Sequence, residues 1–128
     1  MKYKQSWEDM EAFKGIDLYD SFITSWSLDG DGLSFELEVS IWPESPCYST
    51  PKANEYTCYK TGILRFFKYS KVEGLLDKNE ARSSRDPDGS VDYGNVEYFA
   101  ISECEFEIHG EFGKVVISGG EFIFEINA

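Results

Sequence analysis

Residues 33–41 read Leu-Ser-Phe-Glu-Leu-Glu-Val-Ser-Ile, five apolar side chains alternating without a break with Ser34, Glu36, Glu38 and Ser40. Period-two alternation puts every apolar group on one side of an extended chain. Nine residues at roughly 3.4 Å each make a strand about 30 Å long, dry on one face and wet on the other. Asp29, Gly30, Asp31 and Gly32 precede it, and Phe22, Thr24, Trp26 and Leu28 alternate before them. The pattern predicts a β-hairpin that dictates a sheet protein.

The rest of the chain extends this pattern. Ser6 is placed as a helix N-cap with Asp9 as a variant capping box, and Trp7, Met10 and Phe13 recur at helical spacing before Lys14 and Gly15. A short helix over 7–14 is expected, laid on the sheet by its aromatic side. Residues 42–57 hold Pro43, Pro46 and Pro51 and read as a loop, because proline cannot donate to a ladder. Strands are expected over 58–69 and 72–76. Residues 77–95 form a long polar segment of the kind that is functional or mobile in a small domain. In 96–108 the apolar positions switch from odd (Phe99, Ile101) to even (Cys104, Phe106, Ile108), which predicts one long strand with a bulge or bend near Ser102. Residues 110–113 read as a turn. Residues 115–118 and 121–126, around Gly119 and Gly120, read as a closing hairpin.

About seven or eight strands with short connections require antiparallel neighbours. The expected fold is mainly β: one domain over 1–128, a sandwich or a bent, partly closed barrel, with one N-terminal helix. At 128 residues such a chain buries a core without disulfides. Aromatic residues make up 16% of it, which suits half-buried pleated surfaces.

Charge narrows the function classes. There are 24 acidic and 12 basic residues, a formal net of −12. Nucleic acid and anionic membrane both require a cationic face, so neither is an expected partner. No apolar run approaches a membrane span, and residues 1–9 lack the apolar core of a signal peptide. Cys47, Cys58 and Cys104 are odd in number and unpaired in spacing, which predicts reduced thiols and a cytoplasmic location.

No catalytic signature is complete. Cys47, Cys58, Cys104 and His109 are formally a zinc set, but none forms a close pair, and Cys104 reads as a small core residue. A Cys58–His109 dyad has no local signature, and His109 reads as an exposed turn residue. Asp86, Asp88, Ser90 and Asp92 alternate oxygen donors as a calcium loop does; a full EF-hand match fails because Val91 stands where the glycine belongs, and the same residues suit an ordinary turn. Glu103, Glu105 and Glu107 lie at spacing two, a row of equals unsuited to acid–base catalysis but suited to binding or plain solvation. Trp42, Tyr48, Tyr56 and Tyr59 cluster around the proline loop, where they stack on a sugar, anchor a protein partner or cap the end of the core.

Several runs carry a likeness: Asp17 to Phe22, Ser25-Trp26, Ser40-Ile41-Trp42-Pro43, Tyr56-Thr57-Cys58-Tyr59 and Asp88 to Gly94. Together they resemble a family of small bacterial β-rich proteins, a domain of unknown function. More loosely, residues 6–41 resemble immunity proteins of bacterial toxin systems. The second resemblance implies a cytoplasmic antidote that binds a toxin domain.

The expected function is therefore a non-enzymatic binding protein without cofactor, meeting a basic protein partner through Glu103, Glu105, Glu107 and the aromatic cluster. The alternative is a small-ligand or calcium module built on loops 42–59 and 77–95. A subunit that assembles with itself through a strand edge is a third reading. The charge is also uneven: residues 86–128 hold ten acids and one base, while residues 60–85 hold three acids and seven bases. Solubility alone does not require that asymmetry.

Overall fold

The structure, a computed structural model, describes residues 5–51, 53, 58–81, 83–85 and 91–127. The alternating run forms strand β3 (Gly32–Ile41), with Leu33, Phe35, Leu37, Val39 and Ile41 wholly buried. At about 1.5–3 kcal/mol per buried side chain, this strand alone contributes on the order of 10 kcal/mol of apolar burial. It pairs antiparallel with β2 (Ile16–Asp29) on one side and β4 (Cys58–Phe67) on the other. The β2–β3 turn is closed by Asp29, whose Oδ1 accepts from the amides of Asp31 (2.8 Å) and Gly32 (3.2 Å).

The remaining strands are β1 (Gln5–Ser6), β5 (Lys71–Leu75), β6 (Ser84–Arg85), β7 (Val91–Asp92), β8 (Tyr98–Ile101), β9 (Glu105–Gly110), β10 (Gly113–Ser118) and β11 (Glu121–Ile126). One sheet has the order β11-β4-β3-β2, the other β1-β8-β9-β10-β5, and β6 and β7 pair as a small separate ribbon. All these pairings are antiparallel. The two larger sheets face each other through aromatic side chains. Phe66 of β4 lies 5.8 Å from Phe99 and 5.3 Å from Phe106, and Phe35 of β3 lies 4.7 Å from Phe112 (ring centroids). The fold is a sandwich and not a closed barrel.

Four expectations are corrected. Residues 7–14 form two single 3₁₀ turns, Trp7–Asp9 and Glu11–Phe13, rather than one helix. Ser6 does cap the first, accepting from Glu8 N, and Trp7, Met10 and Phe13 are buried as their spacing predicted. Burying those three in the core takes precedence over helical continuity in so short a segment.

The phase switch near Ser102 is a reversal, not a bulge. Tyr98–Ile101 and Glu105–Gly110 fold back on each other with Ile101 opposite Phe106, so Cys104 is an exposed turn residue and not core. The segment 121–126 does not close a hairpin with 115–118. Both edges of β10 are already taken, by β9 and β5, so Gly119 and Gly120 (φ 75° and 86°) carry the chain across to β4 in the other sheet.

Strand β2 begins at Ile16, earlier than the alternation indicated, and its register slips twice. Each slip changes which face the odd residues occupy, so Ile23 and Trp26 are buried while Phe22 and Thr24 are partly exposed.

Candidate partner-binding surfaces

Glu105 and Glu107 alternate with buried Phe106 and Ile108 and so lie on the outer face of β9. Glu103 is in the turn before it, so the expected row of three is a row of two with an acid at its end. The face around them is mixed. Across β10, Lys114 stands opposite His109, and beyond it Lys71 and Glu73 of β5 pair at 3.2 Å. His109 is within a strand, partly buried, with Nε2 2.7 Å from a Glu107 carboxylate oxygen and its ring 4.9 Å from that of Tyr98. The expected exposed turn histidine is instead held by a neighbour two residues away on the same face.

The aromatic cluster divides. Trp42 is 44% exposed just past β3. Tyr48 packs against the core, in keeping with the capping reading. Tyr59 is on β4 and donates its hydroxyl to Asp20 Oδ2 at 3.1 Å. Tyr56 lies outside the described residues. Tyr59 belongs to the four-stranded sheet and Glu105 and Glu107 to the outer face of the five-stranded one, so the two halves of the expected interface are not brought together.

A polar arrangement missed by the sequence reading surrounds Tyr59. Between the pairs Asp17–Ser40 and Phe22–Glu38, residues 18–21 of β2 stand against Val39 alone. The buried Ser21 hydroxyl replaces the broken ladder, donating to Asp17 O (2.8 Å) and accepting from Ser40 N (3.0 Å). Asp20 Oδ2 also accepts from Ser40 Oγ at 3.0 Å. This carboxylate accepts from two hydroxyls, and the arrangement braces the bulge. Ser21→Ala would leave the Ser40 amide unpaired in a buried site, and urea unfolding is expected to lose about 1–3 kcal/mol.

The other candidates separate too. Asp86, Asp88 and Ser90 lie outside the described residues. Asp92 Oδ1 accepts from Gly94 N at 2.9 Å, a turn contact. Among the described residues no three His, Cys, Asp or Glu side chains gather as a metal site. The three cysteines are free. Cys58 is buried on β4 with its sulfur accepting from Ser49 N at 3.5 Å, whereas His109 is on β9 of the other sheet, so no dyad forms.

The described surface also carries open cavities. One of about 400 Å³ lies between Phe124 and Ile126 of β11 and a wall that includes Glu11, Lys14 and Glu44. Another, of about 440 Å³, lies between Trp26 and residues 74–78. Among the described residues no helix is long and apolar enough to cross a membrane.

Fold and surfaces define an acidic all-β sandwich. No family model matches the chain, and neither a curated protein nor a solved structure matches it.

Proposed function

We propose that this chain is a non-enzymatic cytoplasmic binding protein for a basic protein partner, acting as an immunity-type inhibitor of a toxin domain. The observation that carries this reading is the unbalanced acid on the sandwich exterior. Glu36 and Glu38 of β3 and Glu121 and Glu125 of β11 alternate with inward-facing residues of the four-stranded sheet. Arg65, which donates to Asp31 O at 3.0 Å, Lys68, which pairs with Glu121 at 3.5 Å, and Lys78, which donates to Ser25 at 2.7 Å, offset part of that charge. Such a surface accelerates encounter with a cationic partner through long-range attraction.

The protein product of the adjacent reading frame is the partner to test. Its association rate is expected to fall at least about tenfold between low and physiological salt. Replacing Glu103, Glu105 and Glu107 together by Gln is expected to slow association and flatten that salt dependence. An adjacent product that is acidic or does not bind overturns the reading; a rate unchanged in the triple variant removes the β9 row from the interface.

A further inference from the structure

A sandwich has four sheet edges, and each exposes unpaired backbone groups that proteins ordinarily protect. Three edges here carry a protective device. Strand β1 is two residues long. Strand β5 carries Lys71 and faces a register shift in β10 between Gly113 and Val116. Strand β2 has two register shifts and is covered in its middle: Ile23 N donates to Gly94 O, Tyr93 N donates to Ile23 O, and Phe22 bridges Asn95.

Strand β11 is neither short, bulged nor covered by another described strand; its one device is the charge of Glu121 and Glu125, which repels an acidic chain and leaves a cationic one free to add. It runs Glu-Phe-Ile-Phe-Glu-Ile in unbroken register with β4, without proline, lysine or bulge. Asn127 N donates to Thr61 O at 2.8 Å, one step past the pair Ile126–Gly62. In an antiparallel ladder hydrogen-bonded pairs alternate, so Glu125–Ile63, Ile123–Arg65 and Glu121–Phe67 are the bonded ones. The N–H and C=O groups of Phe122, Phe124 and Ile126 therefore turn away from β4. Among the described residues no other strand pairs with them.

Two further observations fall on the same strand. The 400 Å³ cavity has Phe124 and Ile126 in its wall. On the outer face Ile123 is 40% exposed, with Ile63 of β4 diagonal to it at 36%.

We propose that the free edge of β11 is a strand-addition site for an extended, cationic segment of the partner. This rests on the basic-partner reading above and names its contact surface. Main-chain bonds to Phe122, Phe124 and Ile126 would supply affinity, and alternate side chains specificity. On the outer face an added strand would set its side chains beside Glu121, Ile123 and Glu125. On the inner face it would set them toward the cavity and Phe124. The pattern that fits alternates Lys or Arg outside with small apolar residues inside. Charge decides against a second copy as occupant, since each copy would bring its own Glu121 and Glu125 and a net −12 to the contact.

The probe is acetyl-Lys-Val-Lys-Val-Lys-Val-Lys-amide titrated into the ¹⁵N-labelled full chain. Saturable binding is expected, with amide exchange slowed at Phe122, Phe124 and Ile126 and unchanged at Ile123 and Glu125. In antiparallel addition, the sense of all pairings among the described strands, the valine amides face β11. N-methylating the three valines is therefore expected to weaken binding at least about tenfold, while N-methylating the internal lysines leaves it near the parent value. Equal effects of the two methylation sets, or no saturable binding, overturn the proposal. Shifts gathered on Glu105 and Glu107 overturn it while leaving the basic-partner reading standing. A chain that is dimeric alone, and that the peptide converts to monomer, identifies a second copy as the natural occupant and overturns it as well. If the peptide binds as expected but the adjacent product does not, the partner reading alone falls.

Discussion

Phe66→Ala is expected to destabilise the protein by about 3–5 kcal/mol, the range for truncating a fully enclosed phenylalanine. Phe66 has no exposed surface, and its ring lies within 6.3 Å, centroid to centroid, of Phe35, Phe99, Phe106 and Phe122. Those four come from both sheets, so the truncation opens a void where the layers meet. The side chains around it are large rings held by strands, which limits how far the site can collapse. Against a typical total of roughly 5–15 kcal/mol, the loss is a large fraction. Urea unfolding should show a lowered midpoint with an unchanged slope, and the thermal midpoint should fall by roughly 10–20 °C. Phe67→Ala, one residue on but on the partly exposed outer face, is the control, expected to lose under about 1.5 kcal/mol. A Phe66 variant that loses no more than the control would mean that the sheets do not pack through this ring.

Much of that core was legible in the chain. The alternation over 33–41 predicted which face of β3 is dry, and Trp7, Met10 and Phe13 were expected to pack even though no regular helix carries them. Local patterns reported side-chain direction well because burial acts on each residue separately. They failed where connectivity between distant segments decides. Residues 99–108 show a phase switch that a bulge and a tight reversal produce equally, and only the pairing of Ile101 with Phe106 separates them. The segment 121–126 looks like the return strand of a hairpin until the other neighbour of β10 is known to be β5. The arrangement of the candidate residues was out of reach for the same reason. Glu105 and Tyr59 carry plausible binding chemistry, but which sheet each joins is a property of the whole topology. The Ser21 brace has no period to detect: its hydroxyl matters because four residues of β2 oppose one of β3.

Gly113→Ala should cost about 2–4 kcal/mol, with a direct bearing on which edge of the sandwich is open. Gly113 has φ +121°, and Gly74, next to its register partner Leu75 on β5, has φ +88°. A β-carbon on Gly113 would run into the Gly74 carbonyl oxygen, and one on Gly74 into the carbonyl oxygen of Lys114. Both obstacles are backbone and cannot rotate aside. The loss therefore combines a conformation that costs an alanine about 1–3 kcal/mol with a displacement of strand against strand. Gly30→Ala, in the β2–β3 turn with nothing within 4 Å of the added carbon, should change stability by less than about 0.5 kcal/mol. This crossing of two glycines lies where β10 slips its register and β5 ends, next to the bond from Leu76 N to Phe112 O at 2.8 Å. If the close approach pins β5 to the sheet, Gly113→Ala should speed amide exchange at Leu76 and along β5 while leaving β11 unchanged. Equal acceleration at β11 would mean that the two edges open together. In that case β11 could not be distinguished from β5 as the edge left open for another chain.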